Sequence, residues 1–128
     1  MLLPMSPGGR KARRSYTLGV HAEATVRATL ERDGWAVLGH RVRTAAGEVD
    51  LVAEKAGVLA IIEVKARPTL ADAAAALLPR QRARLLAAAE ILLAEHPDWG
   101  KAGVRFDVLV VNAAGQVRRI ADAFRVEG

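Results

Sequence analysis

No cysteine occurs anywhere in the 128 residues, which excludes both a disulfide framework and a thiolate metal site. Histidine is nearly as scarce: His21, His40 and His96 stand far apart with no ligand spacing, so a metal would have to be held by carboxylates. Aromatic residues make up 4% of the chain, two Trp, two Phe and one Tyr, and most sit in apolar patterns; a base-stacking platform for single strands is not expected. No apolar run approaches the roughly eighteen residues needed to span a bilayer. Met1-Leu2-Leu3-Pro4-Met5 is too short for a signal-peptide core and precedes a basic run instead of following it. The expectation is a cytoplasmic protein with no membrane partner.

What is present is an ordinary globular composition, 52% hydrophobic and 26% charged, enough for one domain that buries about two thirds of its unfolded surface. A formal charge of +5 and a pI near 10.4 suggest an anionic partner. The excess is concentrated: of 19 basic residues, Arg10, Lys11, Arg13 and Arg14 form one cluster, and removing them leaves 15 against 14 acidic residues. Residues 1–14, with Pro4, Pro7, Gly8 and Gly9 beside that cluster, are expected to be a disordered basic arm, either a phosphate-binding tether or a solubilising tail. Residues 15–128 are expected to form a single domain.

The informative stretch runs from Gly47 to Arg67. Gly47-Glu48-Val49-Asp50-Leu51-Val52-Ala53-Glu54 and Val58-Leu59-Ala60-Ile61-Ile62-Glu63-Val64-Lys65-Ala66-Arg67 flank a three-residue break, Lys55-Ala56-Gly57, the pattern of an antiparallel hairpin. If residues whose numbers sum to about 113 pair, Asp50 opposes Glu63 and Glu48 opposes Lys65, with Val49, Leu51, Ile62 and Val64 on the other side. A slip by one would mix polar and apolar on both faces, so the hydrophobic pattern selects this register, with a bulge at Gly57 as a further aid. Two carboxylates within about 4 Å repel by roughly 4 kcal/mol at an effective dielectric near 20. A divalent cation offsets that repulsion, since Mg²⁺ takes one or two carboxylates plus water and a substrate phosphate oxygen. Lys65 would then stand beside the bound water.

Asp50, twelve intervening residues, then Glu63-Val64-Lys65 resembles the PD-D/E-x-K phosphodiesterase core of restriction endonucleases and archaeal Holliday-junction resolvases. The fuller set of marks resembles the YraN-like bacterial family: Gly19-Val20-His21-Ala22-Glu23, Gly47-Glu48-Val49-Asp50-Leu51, Glu63-Val64-Lys65-Ala66-Arg67, Arg105-Phe106-Asp107-Val108 and Asp122-Ala123-Phe124. The resemblance covers roughly residues 17 to 125 and implies an α/β/α layered restriction-endonuclease-like fold, a mixed five-stranded sheet with flanking helices. It also implies that Glu23, Asp50, Glu63 and Lys65 meet at one end of the sheet as catalytic residues. Asp50, Glu63 and the Val64 carbonyl would hold Mg²⁺ or Mn²⁺. Arg41 stands where the family more often carries Asn, and Gln81 where it often carries Lys.

Around this centre, Thr17 to Asp33 is expected to be a helix stopped by Gly34, with Leu18, Ala22, Val26 and Leu30 facing the core. From the residues alone, Glu23 is a helix carboxylate pairing with Arg27; the resemblance instead draws it to the metal site. Trp35 to Arg43 reads as a strand with Trp35, Val37 and Leu38 inside. Residues 69–78 read as a short helix and Pro79 to His96 as a longer one, with Leu85, Leu86, Ala89, Leu92 and Leu93 on its apolar face. Gly103 to Asn112 is an interior strand, apolar on both sides, and Gln116 to Ile120 a last strand. Asp107 and Asp122 are expected to pair with Arg105 or Arg119 as structural groups.

Arg43, Arg67, Arg80, Arg82 and Arg84 are the candidate nucleic-acid contacts, with Arg43 also placed to pair with Glu48. Basic residues at the start of a helix reinforce its free amides on a phosphate; the alternative is a solvated basic face. Two functions follow. One is a metal-dependent endonuclease acting on DNA, including branched or junction DNA. The other is a non-catalytic nucleic-acid-binding or interaction module that keeps the nuclease fold. The resolvase likeness also raises a homodimer as an expectation.

Overall fold

The computed structural model describes residues 21–68 and 79–124. Helix α1 covers 21–32 of the described residues. It is followed by β1 (Ala36–Thr44), β2 (Gly47–Lys55), β3 (Val58–Ala66), helix α2 (Pro79–Glu95), β4 (Gly103–Val111) and β5 (Val117–Phe124). The sheet runs β1-β2-β3-β4-β5, antiparallel except for the β3–β4 pair, which is parallel. That one parallel pair is what the intervening α2 makes available, because a crossover is needed before a strand can return in the same direction. Residues 1–20, the expected basic arm included, lie outside the described residues, as does the expected helix over 69–78. Among the described residues no helix is long and apolar enough to cross a membrane.

Two apolar layers sandwich the sheet. On one side Ala22, Val26 and Leu30 of α1 pack with Trp35, Leu51, Ala53, Ala60, Ile62, Leu109 and Val111. On the other, Leu85, Ala88, Ala89 and Leu92 of α2 pack with Val49, Val52, Leu59, Ile61 and Phe106. The four-residue spacing in α1 and the a/d-like spacing in α2 put those side chains on one stripe each, and the alternation along β2 to β4 divides the strand residues between the layers. The result is the expected α/β layering around a mixed five-stranded sheet.

The end of α1 and the β2–β3 turn each have a local cause. Gly34 adopts φ 90, and Trp35 N–H returns to the Leu30 carbonyl at 2.9 Å, closing α1 in the manner of a left-handed cap. At the β2–β3 hairpin the break is two residues, not three: Lys55 pairs with Val58, and Ala56 and Gly57 both have positive φ, 51 and 79. That is a type I′ turn, whose twist matches the flanking strands, so no bulge at Gly57 is needed. The pairs Leu51–Ile62 through Lys55–Val58 keep the sum of 113. The irregularity lies instead in β1, between Val37 and Gly39. It displaces Leu38, expected inside, to the surface at 38% exposure.

β4 is buried along most of its length, as an interior strand should be. Its one buried carboxylate, Asp107, is 2% exposed. It accepts hydrogen bonds from Arg105 Nε at 3.2 Å and Arg119 Nε at 3.0 Å, and Arg119 Nη2 forms an ion pair with it. Arg119 also lies over the Trp35 ring, 4.9 Å from its centroid. Asp107 is therefore structural, as expected; the side chain of Asp122 lies outside the described residues.

Candidate metal and phosphodiester site

The site forms where the β2–β3 ladder ends. The last main-chain pair of that ladder is Leu51–Ile62, while β3 continues alongside β4 to the pair Ala66–Val111. Beyond Ile62 the Val64 N–H donates to Asp50 Oδ2 at 2.8 Å. A carboxylate thus substitutes for the main-chain acceptor that a continuous ladder would have supplied.

The same residue interrupts the alternation of β2. Leu51 belongs to the α1-side core and Val49 to the α2-side core, although strict alternation would put both on one face. The expectation that Val49 shares a face with Leu51, Ile62 and Val64 is corrected accordingly. Asp50 lies at the switch, its side chain directed across the gap to β3. Across from it on β1, the pairs His40–Leu51 and Val42–Val49 bracket Arg41, whose φ is 49. A left-handed conformation is costly for most residues and is tolerated best by Gly and Asn. That supplies a physical reason for the Asn the YraN-like pattern favours at this position.

Glu63, 4% exposed, shares its strand face with Ile61 and faces α2. Burial, a hydrogen bond to Asp50 and the Asp50 charge raise its pKa from 4.5 to about 7, while Lys65 and Arg84 pull it the other way. The two carboxyl groups are thus adjacent, and Lys65 is close enough to act on Glu63, although the ladder itself stops one pair short of them. The carboxyl groups and the nearby main-chain carbonyls are oxygen donors, the type that Mg²⁺ and Mn²⁺ take, and two cations, Lys65 and Arg84, already stand beside them.

Arg84 crosses to this group from the second turn of α2. Its Nη2 donates to Glu63 Oε2 at 2.8 Å and its Nη1 to the Glu48 carbonyl oxygen. The path runs over Gly47: a Cβ there would lie 2.8 Å from Arg84 Cδ, and Gly47 has φ +134. The Gly of Gly47-Glu48-Val49-Asp50 is thereby a passage for an arginine, a role sequence reading did not assign. A glycine at the first position of an otherwise β-rich run was the one available signal.

The other candidates distribute around this centre. Glu23 Oε1 pairs with Arg41 Nε at 3.3 Å, not with Arg27, which pairs with Glu31 at 3.7 Å. Glu23 is therefore tied to the β1 position opposite Asp50. Among the described residues no group of three or more His, Cys, Asp or Glu is placed to hold a metal ion, so Glu23 does not join Asp50 and Glu63 as a third carboxylate. Arg43 Nε lies 3.8 Å from Glu48 Oε2 on the adjoining strand, one of the two placements expected. Arg67 donates to the Ala66 carbonyl at 2.8 Å, and Arg80 and Arg82 are exposed at the start of α2.

Residues 22–111 match the model of the Uncharacterised protein family UPF0102. The chain belongs to this family. Its UPF0102 relative in Granulibacter bethesdensis is 60% identical over 119 residues, covering 93% of this chain and 73% of that protein. A relative in Azorhizobium caulinodans is 40% identical over 125 residues, covering 98% and 95%; one in Acidiphilium cryptum is 47% identical over 115 residues, covering 90% and 89%. The resemblance to the YraN-like family is thereby borne out. The matched span contains Glu23, Asp50, Glu63 and Lys65, but membership brings no activity with it, and the chemistry has to be argued from the geometry.

Proposed function

We propose that this UPF0102 protein is a metal-dependent phosphodiesterase acting on DNA. The observation that carries the reading is the adjacent Asp50 and Glu63 at the open end of the β2–β3 ladder, with Lys65 on the same strand face as Glu63. Asp50, Glu63 and the Val64 carbonyl would hold Mg²⁺ or Mn²⁺. When bound, such an ion supplies Lewis acidity and lowers the pKa of a coordinated water.

The chain's own residues do the remaining work. Asp50 is anchored by the Val64 amide, so its carboxylate is held in place before any substrate arrives. The Lys65 ammonium orients the attacking water and stabilises charge developing on the phosphate oxygens. Glu23 assists indirectly, by holding Arg41 at the strand position opposite Asp50. Arg43, Arg67, Arg80, Arg82 and Arg84 would position the phosphodiester backbone, giving contacts that read shape more than sequence. A site at the carboxyl end of the parallel strand β3 accords with where ligands bind in open α/β sheets.

Pure protein incubated with branched, duplex and single-stranded DNA in Mg²⁺ or Mn²⁺ tests this reading. Cleavage that is lost on Asp50→Ala supports it; the absence of cutting on every substrate, or cutting by the variant at the wild-type rate, overturns it.

A second reading, a non-catalytic nucleic-acid-binding module, is favoured by the Arg84 guanidinium that already pairs with Glu63 at 2.8 Å. It predicts DNA binding that survives Asp50→Ala and Lys65→Ala unchanged.

A further inference from the structure

The contact of Arg84 with Glu63 is the feature the phosphodiesterase reading does not absorb. A residue intended for phosphate alone would be expected to extend into solvent, as Arg80 and Arg82 do at the same helix end. Arg84 instead has a 31% exposed side chain, spans from α2 to a carboxylate that is 6% exposed, and makes a second contact to the Glu48 carbonyl. Gly47 clears its route.

We infer that Arg84 is a resident counter-ion of the carboxylate pair, competing with a divalent cation for Glu63 and so setting the affinity of the site for metal. The inference rests on the reading that Asp50 and Glu63 hold a dication. Three points carry it. The Arg84 contact uses Glu63 Oε2, one of the two oxygens by which Glu63 could hold a metal, and draws on the same negative charge. The Glu48 carbonyl gives the arginine a second anchor, so it is held at the site and not merely drawn to it. Finally, Arg84 is a flexible side chain with solvent on one side, so it can leave Glu63 without disturbing the packing of Leu85 and Ala88 beneath it. An arginine displaced in this way becomes a positioning residue for the phosphodiester, which links metal loading to substrate contact.

The test is metal binding, not turnover. Mn²⁺ titrated into the full chain at about pH 8 and followed by the EPR signal of the free ion is expected to bind Arg84→Gln roughly tenfold more tightly than wild type. That is the scale of a unit charge repelling a dication about 6 Å away in a water-like dielectric. Arg84→Lys, which keeps the charge on a shorter reach, should fall between the two. On wild type, Mg²⁺ titration followed by NMR should shift the Arg84 guanidinium resonances together with the carboxyl carbons of Asp50 and Glu63. Binding by Arg84→Gln that is no tighter than wild type, or carboxyl shifts with an unmoved guanidinium, overturns the inference and leaves the metal site standing. No Mn²⁺ binding by either protein overturns both.

Discussion

Replacing Glu63 with glutamine should stabilise the protein at neutral pH, although it removes an ion-pair partner. Glu63 has its pKa raised from 4.5 to about 7, chiefly by burial and then by Asp50. Between those values the native state binds more protons than the unfolded chain, so stability falls as pH rises, and the full cost is present above about pH 7. A shift of this size corresponds to about 3 kcal/mol at 1.4 kcal/mol for each pH unit. A glutamine side chain would carry no such cost, while its amide can donate to Asp50 and its carbonyl can accept from Arg84. The attraction to Arg84 and Lys65 is already contained in that net shift, so the expected gain is the whole of it, roughly 3 kcal/mol. Urea unfolding in EDTA at a series of pH values checks this. Wild type should lose stability between about pH 4.5 and 7, Glu63→Gln should not, and the two should converge below about pH 4.5. Parallel pH profiles for the two proteins would refute the reasoning, because they would mean that Glu63 does not titrate differently in the folded state.

Ala56 sits at φ 51 in a type I′ turn, so Ala56→Asn should add about 0.5–1 kcal/mol and raise the Tm by roughly 4 °C, read by calorimetry. Gly47→Ala places a Cβ 2.8 Å from Arg84 Cδ at a φ of +134; a loss of about 1–3 kcal/mol in denaturant unfolding is expected. Asp107→Ala leaves Arg105 and Arg119 without their shared buried carboxylate and should cost about 2–4 kcal/mol, with a red shift in Trp35 emission as the ring loses its covering arginine. If four to six of the arginines contact phosphates, log K for DNA should fall with log salt at a slope of about −4 to −5, and a flat dependence measured by fluorescence anisotropy would argue against DNA as the partner.

Much of the architecture is legible in the sequence because each element has a strong local signal. Ala22, Val26 and Leu30 recur at helical spacing and are all buried. The doubly apolar Gly103–Val111 run is the interior strand β4, and the hairpin register follows from its hydrophobic pattern. What sequence patterns misplace depends on backbone geometry that composition does not encode. Leu38 looks like a core residue in a strand, but the β1 irregularity between Val37 and Gly39 turns it outward. Val49 looks like a partner of Leu51, but the switch at Asp50 sends it to the opposite layer. For Glu23, local spacing offers Arg27 and resemblance offers the metal; Arg41, eighteen residues away, is its partner.

Residue order alone determined the hairpin, its register from Leu51–Ile62 to the turn, and that residues 63 and 65 share a strand face; residue 50 reaches them where the alternation of β2 breaks. Only the folded chain decided how that group is balanced. The carbonyl of Glu48, the clearance at Gly47 and the guanidinium of Arg84 come from segments far apart in the chain, and nothing short of packing α2 against the sheet could bring that charge to Glu63.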